Sequence, residues 1–456
     1  MKRIVVINIV GLTKKLIGVH TPFLSALTAK RNISVIQPML PAVTCSAQAT
    51  FLTGKYPDEH GIVGNGWYFK DECEVKFWRQ SNKLVQTKKI WEILKENNPA
   101  FTCANLFWWY NMYSAVEYSL TPRPQYHADG KKLPDIYTSP ATLRNILQNK
   151  LGIFPLFDFW GPKTSIRSSQ WIADASVITE EMYSPTLTLI YLPHLDYNLQ
   201  RYGNNFSLIQ KDLIEIDTVC EELVKFYESR DVEVILLSEY GITDVHSPVH
   251  INRILRENNM LAVRDEQGLE LLDAGASAAF AVADHQIAHV YVNDKNKISQ
   301  VRAILERIKG IETILDEKGK NTYHLQHERA GDFICIADKN SWFTYYYWLD
   351  DNLAPDFART VDIHRKPGYD PAELILNPNI SLPLFTVGMK LLKKKLGFRY
   401  LMDVIPLDAT LVKGSHGRIP EDDSDFPVLI CSTPLPKRID ATEIFSVLAS
   451  KLISAE

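Results

Sequence analysis

Hydrophobic positions along the chain fall into short unbroken runs separated by stretches of helical periodicity. Residues 4–9 (Ile-Val-Val-Ile-Asn-Ile) are β-branched and almost wholly apolar, the pattern of a parallel strand covered on both faces. A helix is predicted over 22–30, with Pro22 suited to its first turn. A second strand is predicted over 33–37, then a short helix over 46–53 closed by Gly54. The alternation resumes downstream, with strands at 187–192, 232–237, 289–292, 333–336 and 428–431 and helices at 208–230, 297–309 and 441–452. Strands alternating with helices of this length predict an α/β fold, a doubly wound and mostly parallel central sheet flanked by helices.

Residues 66–170 and 340–399 break the pattern. Both are rich in Trp, Tyr, Phe and Pro and weak in periodicity. They are expected to be inserted segments covering the carboxyl edge of the sheet, where α/β folds place their sites. No internal repeat divides the chain, so residues 1–456 are read as a single domain.

Composition narrows the function. A hydrophobic share of 46% with 23% charged residues is that of a globular protein. The formal charge of −4, spread without single-sign blocks, disfavours a nucleic acid polymer as partner. Six scattered cysteines without a C-x-x-C pair read as reduced thiols. The first apolar run is too short for a signal peptide and no run is long enough to span a bilayer, so the expected compartment is the cytoplasm. The segment Lys390-Leu-Leu-Lys393-Lys394-Lys395-Leu-Gly397 reads as a short solvated helix, and no membrane partner is expected. Oligomeric state leaves no mark in the sequence.

The strongest local signal is Pro41-Ala-Val-Thr44-Cys-Ser-Ala-Gln-Ala-Thr-Phe-Leu-Thr53-Gly54-Lys-Tyr-Pro57-Asp-Glu-His60-Gly61-Ile-Val-Gly-Asn65. A hydroxyl at a helix N-terminus sits among free N–H groups at the positive end of the dipole, where a phosphoryl group can be held while oxygen attacks. The plainer reading makes Thr44 an N-cap. The string resembles the nucleophile segment of the nucleotide pyrophosphatase/phosphodiesterase branch of the alkaline phosphatase superfamily, a Thr opening a helix followed by T-G-x-Y-P-x-x-H-G-I. Further segments match in order: Ile7-Asn8-Ile9-Val10-Gly11-Leu12, then Asp196-Tyr-Asn-Leu-Gln200-Arg-Tyr-Gly203, then Ser238-Glu239-Tyr240-Gly241, then Gly414-Ser-His416-Gly417.

The resemblance implies an alkaline phosphatase-like fold and a phosphoester hydrolase, of phosphodiesterase, nucleotide pyrophosphatase or phosphatase type, acting on a small-molecule phosphoester. Thr44 would be the nucleophile, aided by one or two divalent metal ions, zinc in most of the family. In the family the two ions lie about 4 Å apart and clamp the phosphoryl group. One ion would be held at Asp196, Gln200 and His416, the other at Val10, Thr44, Glu239 and Tyr240. Here the family's pattern is altered: Val10 cannot ligate, Gln200 offers only a neutral carbonyl, and Tyr240 could ligate only as a phenolate. Asn8 shares a strand face with Val10 but stands about 6.6 Å back, too far for a simple substitute. Fewer carboxylates favour a single ion at Asp196, His416 and Glu239. Two rival readings stay open, a catalytically altered or inactive member serving as a binding protein and a phosphoryl transferase or isomerase.

Other residues are weighed beside these. Asn65, His364 and Arg365 are substrate-binding candidates, Arg365 because guanidinium presents a planar donor fork, with a solvated surface turn an equal reading of the segment that carries His364 and Arg365. His246 and His250 have i, i+4 spacing, but Pro248 argues for a loop. In Asp284-His285-Gln-Ile-Ala-His289, one histidine pointing into the cleft is weighed against a hydrogen-bonded structural histidine, and the structural reading is preferred. The aromatic clusters at 107–113 and 342–348 are expected to be mostly core of the covering layer, with one or two rings in the cleft.

Overall fold

The computed structural model describes residues 2–128, 131–398 and 400–453. The strands that build it are β1 (Ile4–Ile9), β2 (Asn32–Gln37), β3 (Cys103–Leu106), β4 (Tyr118–Pro122), β5 (Ile136–Ser139), β6 (Leu187–Leu192), β7 (Glu233–Leu237), β8 (Ala279–Asp284), β9 (Ile287–Val292), β10 (Ile311–Leu315), β11 (Phe333–Ala337), β12 (Val428–Cys431) and β13 (Arg438–Asp440). The helices used below are α1 (Pro22–Lys30), α2 (Thr44–Thr53), α3 (Ile166–Tyr183), α4 (His194–Tyr202), α5 (Phe206–Glu228), α6 (Pro383–Lys395) and α7 (Glu443–Ile453).

Among the described residues the central sheet has nine strands in the order β13-β2-β12-β7-β1-β6-β3-β4-β5. From β7 through β1, β6 and β3 to β4 every pair is parallel, while β12 and β5 run against their neighbours. Every residue of β1 and β6 is buried, as unbroken apolar runs require when helices cover both faces. α1 is fixed to α5 at its first turn, where both oxygens of Asp217 accept the N–H groups of Phe23 and Leu24 at 2.8 Å. A carboxylate there satisfies two of the donors that a helix N-terminus leaves unpaired and faces the positive end of the dipole. α2 ends at Gly54, whose φ of 66° is the left-handed region that favours glycine, and a Cβ there would press on Phe445 of α7 at 3.0 Å.

A separate antiparallel sheet of order β8-β9-β11-β10 has its own apolar core, shared with the segment around Trp342–Trp348. The runs predicted at 289–292 and 333–336 are strands, but they belong to this second sheet and not to the central one. Residues 66–170 are likewise more than a cover, because β3, β4 and β5 supply one flank of the central sheet. The cluster from Trp342 to Trp348 is buried core, as expected. Arg399, the predicted end of the second covering segment, lies outside the described residues. Among the described residues no helix is long and apolar enough to cross a membrane.

Candidate active site

β1, β2, β6 and β7 point the same way, so their carboxyl ends open on one edge of the sheet. Val10 follows β1, Thr44 opens α2 beyond β2, and Glu239 and Tyr240 follow β7. β6 leads through Pro193 into α4, which carries Asp196 and Gln200 one turn apart. His416 arrives from the far end of the chain, just past a strand segment at Gly414–Ser415 paired with Thr243–Asp244. The N–H of Ala42 donates to the carbonyl of Gly417 at 2.9 Å, joining this return segment to the loop before α2.

Val43, not Thr44, is the N-cap of α2, and Thr44 is its first helical residue. The hydroxyl of Thr44 is therefore not used in capping. It lies 3.1 Å from the phenolic oxygen of Tyr240, whose hydroxyl donates to Asp196 Oδ1 at 3.2 Å. The other oxygen of Asp196 accepts the amide of Gln200 at 2.7 Å. Asn65 joins the same helix end: its Oδ1 accepts the N–H of Cys45 at 3.0 Å, and Asp284 holds Asn65 through two bonds at 2.8 and 3.1 Å.

Glu239 is held by amides. Asn8 Nδ2 and Gln48 Nε2 both donate to its Oε1, Gln48 at 2.5 Å, while Oε2 and the side-chain oxygen of Asn8 have no partner in the protein. Strand pitch had placed Asn8 out of reach of the Val10 position. It enters the site sideways instead, because Asn8 pairs in register with Leu237 and Glu239 follows two residues later. Gln48, which sequence reasoning missed, also accepts the N–H of Trp109 at 2.7 Å.

Four rings line one wall. Tyr240 stacks on His416 with 3.6 Å between centroids and 6° between planes, His416 meets His285 at 3.7 Å, and His285 meets Tyr369 at 3.7 Å. Tyr369 in turn hydrogen-bonds to Gln200 at 3.3 Å. His416 Nδ1 sits 2.7 Å from the carbonyl of Ala42. That contact places the ring proton on Nδ1 and leaves the lone pair on Nε2, the arrangement of a histidine ready to ligate.

Burial governs the charges. It pushes the carboxyl of Asp196 up to about 7 against the hydrogen bonds from Tyr240 and Gln200. Glu239 rises to about 8 for the same reason, with the bonds from Gln48 and Asn8 pulling the other way. His416 falls to about 3, so its imidazole is neutral, and the phenol of Tyr240 is held well above its usual range.

These donors do not fit a pair of cations. Val10 is fully buried and carries no ligand atom, Tyr240 is a neutral phenol, and both oxygens of Asp196 already accept hydrogen bonds. The donor chemistry for one cation remains in Asp196, Glu239 and His416, and Glu239 Oε2 is a buried oxygen with no partner in the protein. Among the described residues, the His and carboxylate atoms that do converge within 4.8 Å belong to His194, Asp212 and Glu215 on α4 and α5. Its carboxylates have other partners, since Asn198 donates to both oxygens of Asp212 and Lys211 pairs with Glu215, while His194 meets Glu215 through Nε2 at 3.1 Å and leaves Nδ1 without a partner.

His364 and Arg365 lie at the exposed surface, His364 against Tyr126 and Arg365 beside Asp362 and Asp356. Neither hydrogen-bonds to the Thr44 cluster, because the turn that carries them faces outward while its neighbour Lys366 buries its ammonium against Asp370 and Glu373. His289 is structural, as expected, bonded to the carbonyl of Val63 and the N–H of Gly331. His246 and His250 bond to Ser247 and Thr344, away from the site. A collar of half-buried tryptophans does reach it. Trp78 and Trp160 meet Tyr369 edge-on at 5.7 and 5.6 Å, and Trp109 packs on Trp78 at 4.8 Å. Of these only Trp109 lay in a predicted cluster; Trp78 and Trp160 stand alone in irregular segments and give no periodic signal.

A sequence profile described as type I phosphodiesterase / nucleotide pyrophosphatase matches residues 4–370. An uncharacterised pyrophosphatase/phosphodiesterase of Schizosaccharomyces pombe is 24% identical over 246 residues, 53% of this chain and 44% of that protein. Ectonucleotide pyrophosphatase/phosphodiesterase 2 of Saccharomyces cerevisiae is 25% identical over 269 residues, 53% of this chain and 48% of that one. The chain thus spans less than half the length of these relatives. In fold it is similar to murine ectonucleotide pyrophosphatase/phosphodiesterase 5, solved as an inactive threonine-to-alanine form in complex with AMP (TM-score 0.57, 13% identity, 99% and 95% of the two chains). It is also similar to phosphonoacetate hydrolase of Sinorhizobium meliloti 1021 in complex with phosphonoacetate (TM-score 0.61, 13% identity, 99% and 96%).

Proposed function

The chain belongs to the type I phosphodiesterase / nucleotide pyrophosphatase family, and on that premise we propose that it hydrolyses a phosphodiester or phosphomonoester with Thr44 as nucleophile. The observation that carries this reading is the hydroxyl chain from Thr44 through Tyr240 to Asp196 at the N-terminus of α2. As Thr44 Oγ1 attacks phosphorus, its proton passes to the Tyr240 oxygen and the Tyr240 proton passes to Asp196. The bond from phosphorus to the leaving oxygen breaks as the bond to Thr44 Oγ1 forms, and the leaving oxygen takes a proton from solvent water. Water then attacks the phospho-threonine and gives one proton to solvent, the bond from phosphorus to Thr44 Oγ1 breaks, and the proton held on Asp196 returns through Tyr240 to Thr44 Oγ1. Burial raises the Asp196 carboxyl from its ordinary range towards that of a general base working near neutral pH.

Asp196, Glu239 and His416 would hold a single divalent cation, and a donor set of nitrogen and carboxylate oxygens suits zinc. When bound, the ion would supply positive charge opposite the phosphoryl oxygens. The tryptophan collar suits a flat substituent such as a nucleobase, in keeping with the AMP bound by the murine neighbour. The six unpaired cysteines, five of them buried, suit a reducing compartment and the cytoplasm.

The test is turnover of bis(p-nitrophenyl) phosphate and of nucleotides by protein purified without chelator, with metal counted per chain and Thr44→Ala alongside. Turnover by the parent and none by Thr44→Ala supports the reading; equal turnover removes Thr44 from the chemistry. A second reading, a binding protein that has lost hydrolysis, is favoured by the hydrogen bonds that already occupy Asp196. It would show as AMP binding without product.

A further inference from the structure

α6 presents two unlike faces. Its inner face is tied to the body of the chain: Val387 packs against the small core of Ala372, Val404 and Ile405, and the ammonium of Lys390 bonds to Asp403 and to the carbonyl of Leu401 at 2.9 Å. Its outer face carries Phe385, Met389 and Leu392, and Leu396 continues the row in the turn just past the helix, at spacings of four, three and four residues, while Leu391, also exposed, lies off this row. On a helix these fall within a stripe roughly 60° wide. All four are exposed, by 66%, 42%, 46% and 63%, with Leu382 and Phe398 exposed at either end of the same segment.

Buried surfaces elsewhere in the chain show that it has no shortage of core, so a solvent-facing row of this kind needs a reason. The charges beside it supply one. At about 100° per residue, Lys393 lies on one flank of the stripe and Lys395 on the other. Both are exposed, and among the described residues neither has an ion pair. An apolar row bordered on both sides by free ammonium groups matches the boundary of an anionic bilayer. There the row enters the acyl region while the lysine stems reach up to the headgroups. The sequence alone pointed to a short solvated helix at 390–397; the structure lengthens it to thirteen residues and adds Leu382, Phe385 and Met389 to the exposed row.

We propose that α6 is a membrane-docking helix that lies in the plane of an anionic lipid surface, with Phe385, Met389, Leu392 and Leu396 inserted and Lys393 and Lys395 at the headgroups. The inference is independent of the chemistry at Thr44. It is tested by co-sedimentation of the whole chain with vesicles of phosphatidylcholine alone or mixed with phosphatidylserine. Binding is expected to the mixed vesicles and to weaken as salt rises. Phe385→Glu with Leu392→Glu is expected to abolish it, and Lys393→Glu and Lys395→Glu each to lower the partition coefficient about fivefold or more. Circular dichroism and turnover of the candidate substrate are expected to be unchanged in all of these variants. Equal binding to both vesicle types, or binding that survives the double glutamate variant, overturns the proposal. So does a monomer produced by that variant from a dimeric parent that never sedimented with vesicles, which makes the row a contact between copies of the chain.

Discussion

The phenol of Tyr240 lies flat on the imidazole of His416, 3.6 Å between ring centres and 6° from parallel, with its hydroxyl directed between Thr44 and Asp196. Ring and hydroxyl therefore serve separate ends, one packing and the other bridging nucleophile to carboxylate. Tyr240→Phe keeps the stack and deletes the bridge. Steady-state kinetics are expected to show kcat lower by about 100-fold with little change in melting temperature. Undiminished turnover would take Tyr240 out of the proton path.

The hydrogen bonds that hold Asp196 and Glu239 stand where the family's pattern has metal ligands. Restoring Val10→Asp, Gln200→His and Tyr240→His together is expected to raise bound zinc from at most one to two per chain, read by elemental analysis after dialysis. A count that stays the same would mean that something beyond these three positions closes the second site.

Two buried carboxyls raised to about 7 and about 8 make stability depend on pH. Unfolded, both groups ionise near pH 4. The folded chain without metal therefore holds protons that the unfolded chain releases. Their contribution is complete below about pH 4 and is lost as pH rises through 7 and 8. Melting curves of chelator-treated protein are expected to shift down between about pH 5 and about pH 9, and Glu239→Gln to flatten part of that slope. A curve insensitive to both would place the carboxyls in wetter surroundings.

Lys366 is buried between Asp370 and Glu373 at 2.7 and 2.8 Å, next to Tyr369 on the wall of the site. Lys366→Met leaves two carboxylates facing each other without a counter-ion. Denaturant unfolding is expected to show a loss of about 3 to 5 kcal/mol, and a loss below the noise would contradict the charge assignment.

Much of this was legible beforehand. The runs at 4–9 and 187–192 became strands with those same bounds, because short, nearly unbroken apolar runs are what a strand buried on both faces requires. The fold followed from the run pattern and the resemblance, and the resemblance implied the placing of Thr44, Asp196, Glu239 and His416; in the structure Tyr240 bridges Thr44 to Asp196 and stacks on His416. β3, at four residues inside an aromatic-rich stretch, left no period to read. Nor could periodicity tell that β9 and β11 pair with each other in a second sheet, since register across strands is a tertiary choice. Asn8 was judged along its own strand, whereas its partner Glu239 comes from the neighbouring one. His285, in a segment weighed both for the cleft and as structural, stands on the wall of the site, whereas Gln48 and Tyr369 reach it through bonds and stacks that no local pattern announces.

The most direct test of the account looks for the covalent intermediate itself. The protein is mixed with a chromogenic phosphodiester, quenched in acid within the first turnover and digested for peptide mass spectrometry. A phosphoryl adduct confined to Thr44, and absent when the substrate is omitted, is the expected result. Product released in a full burst with an unmodified Thr44 peptide would contradict the account.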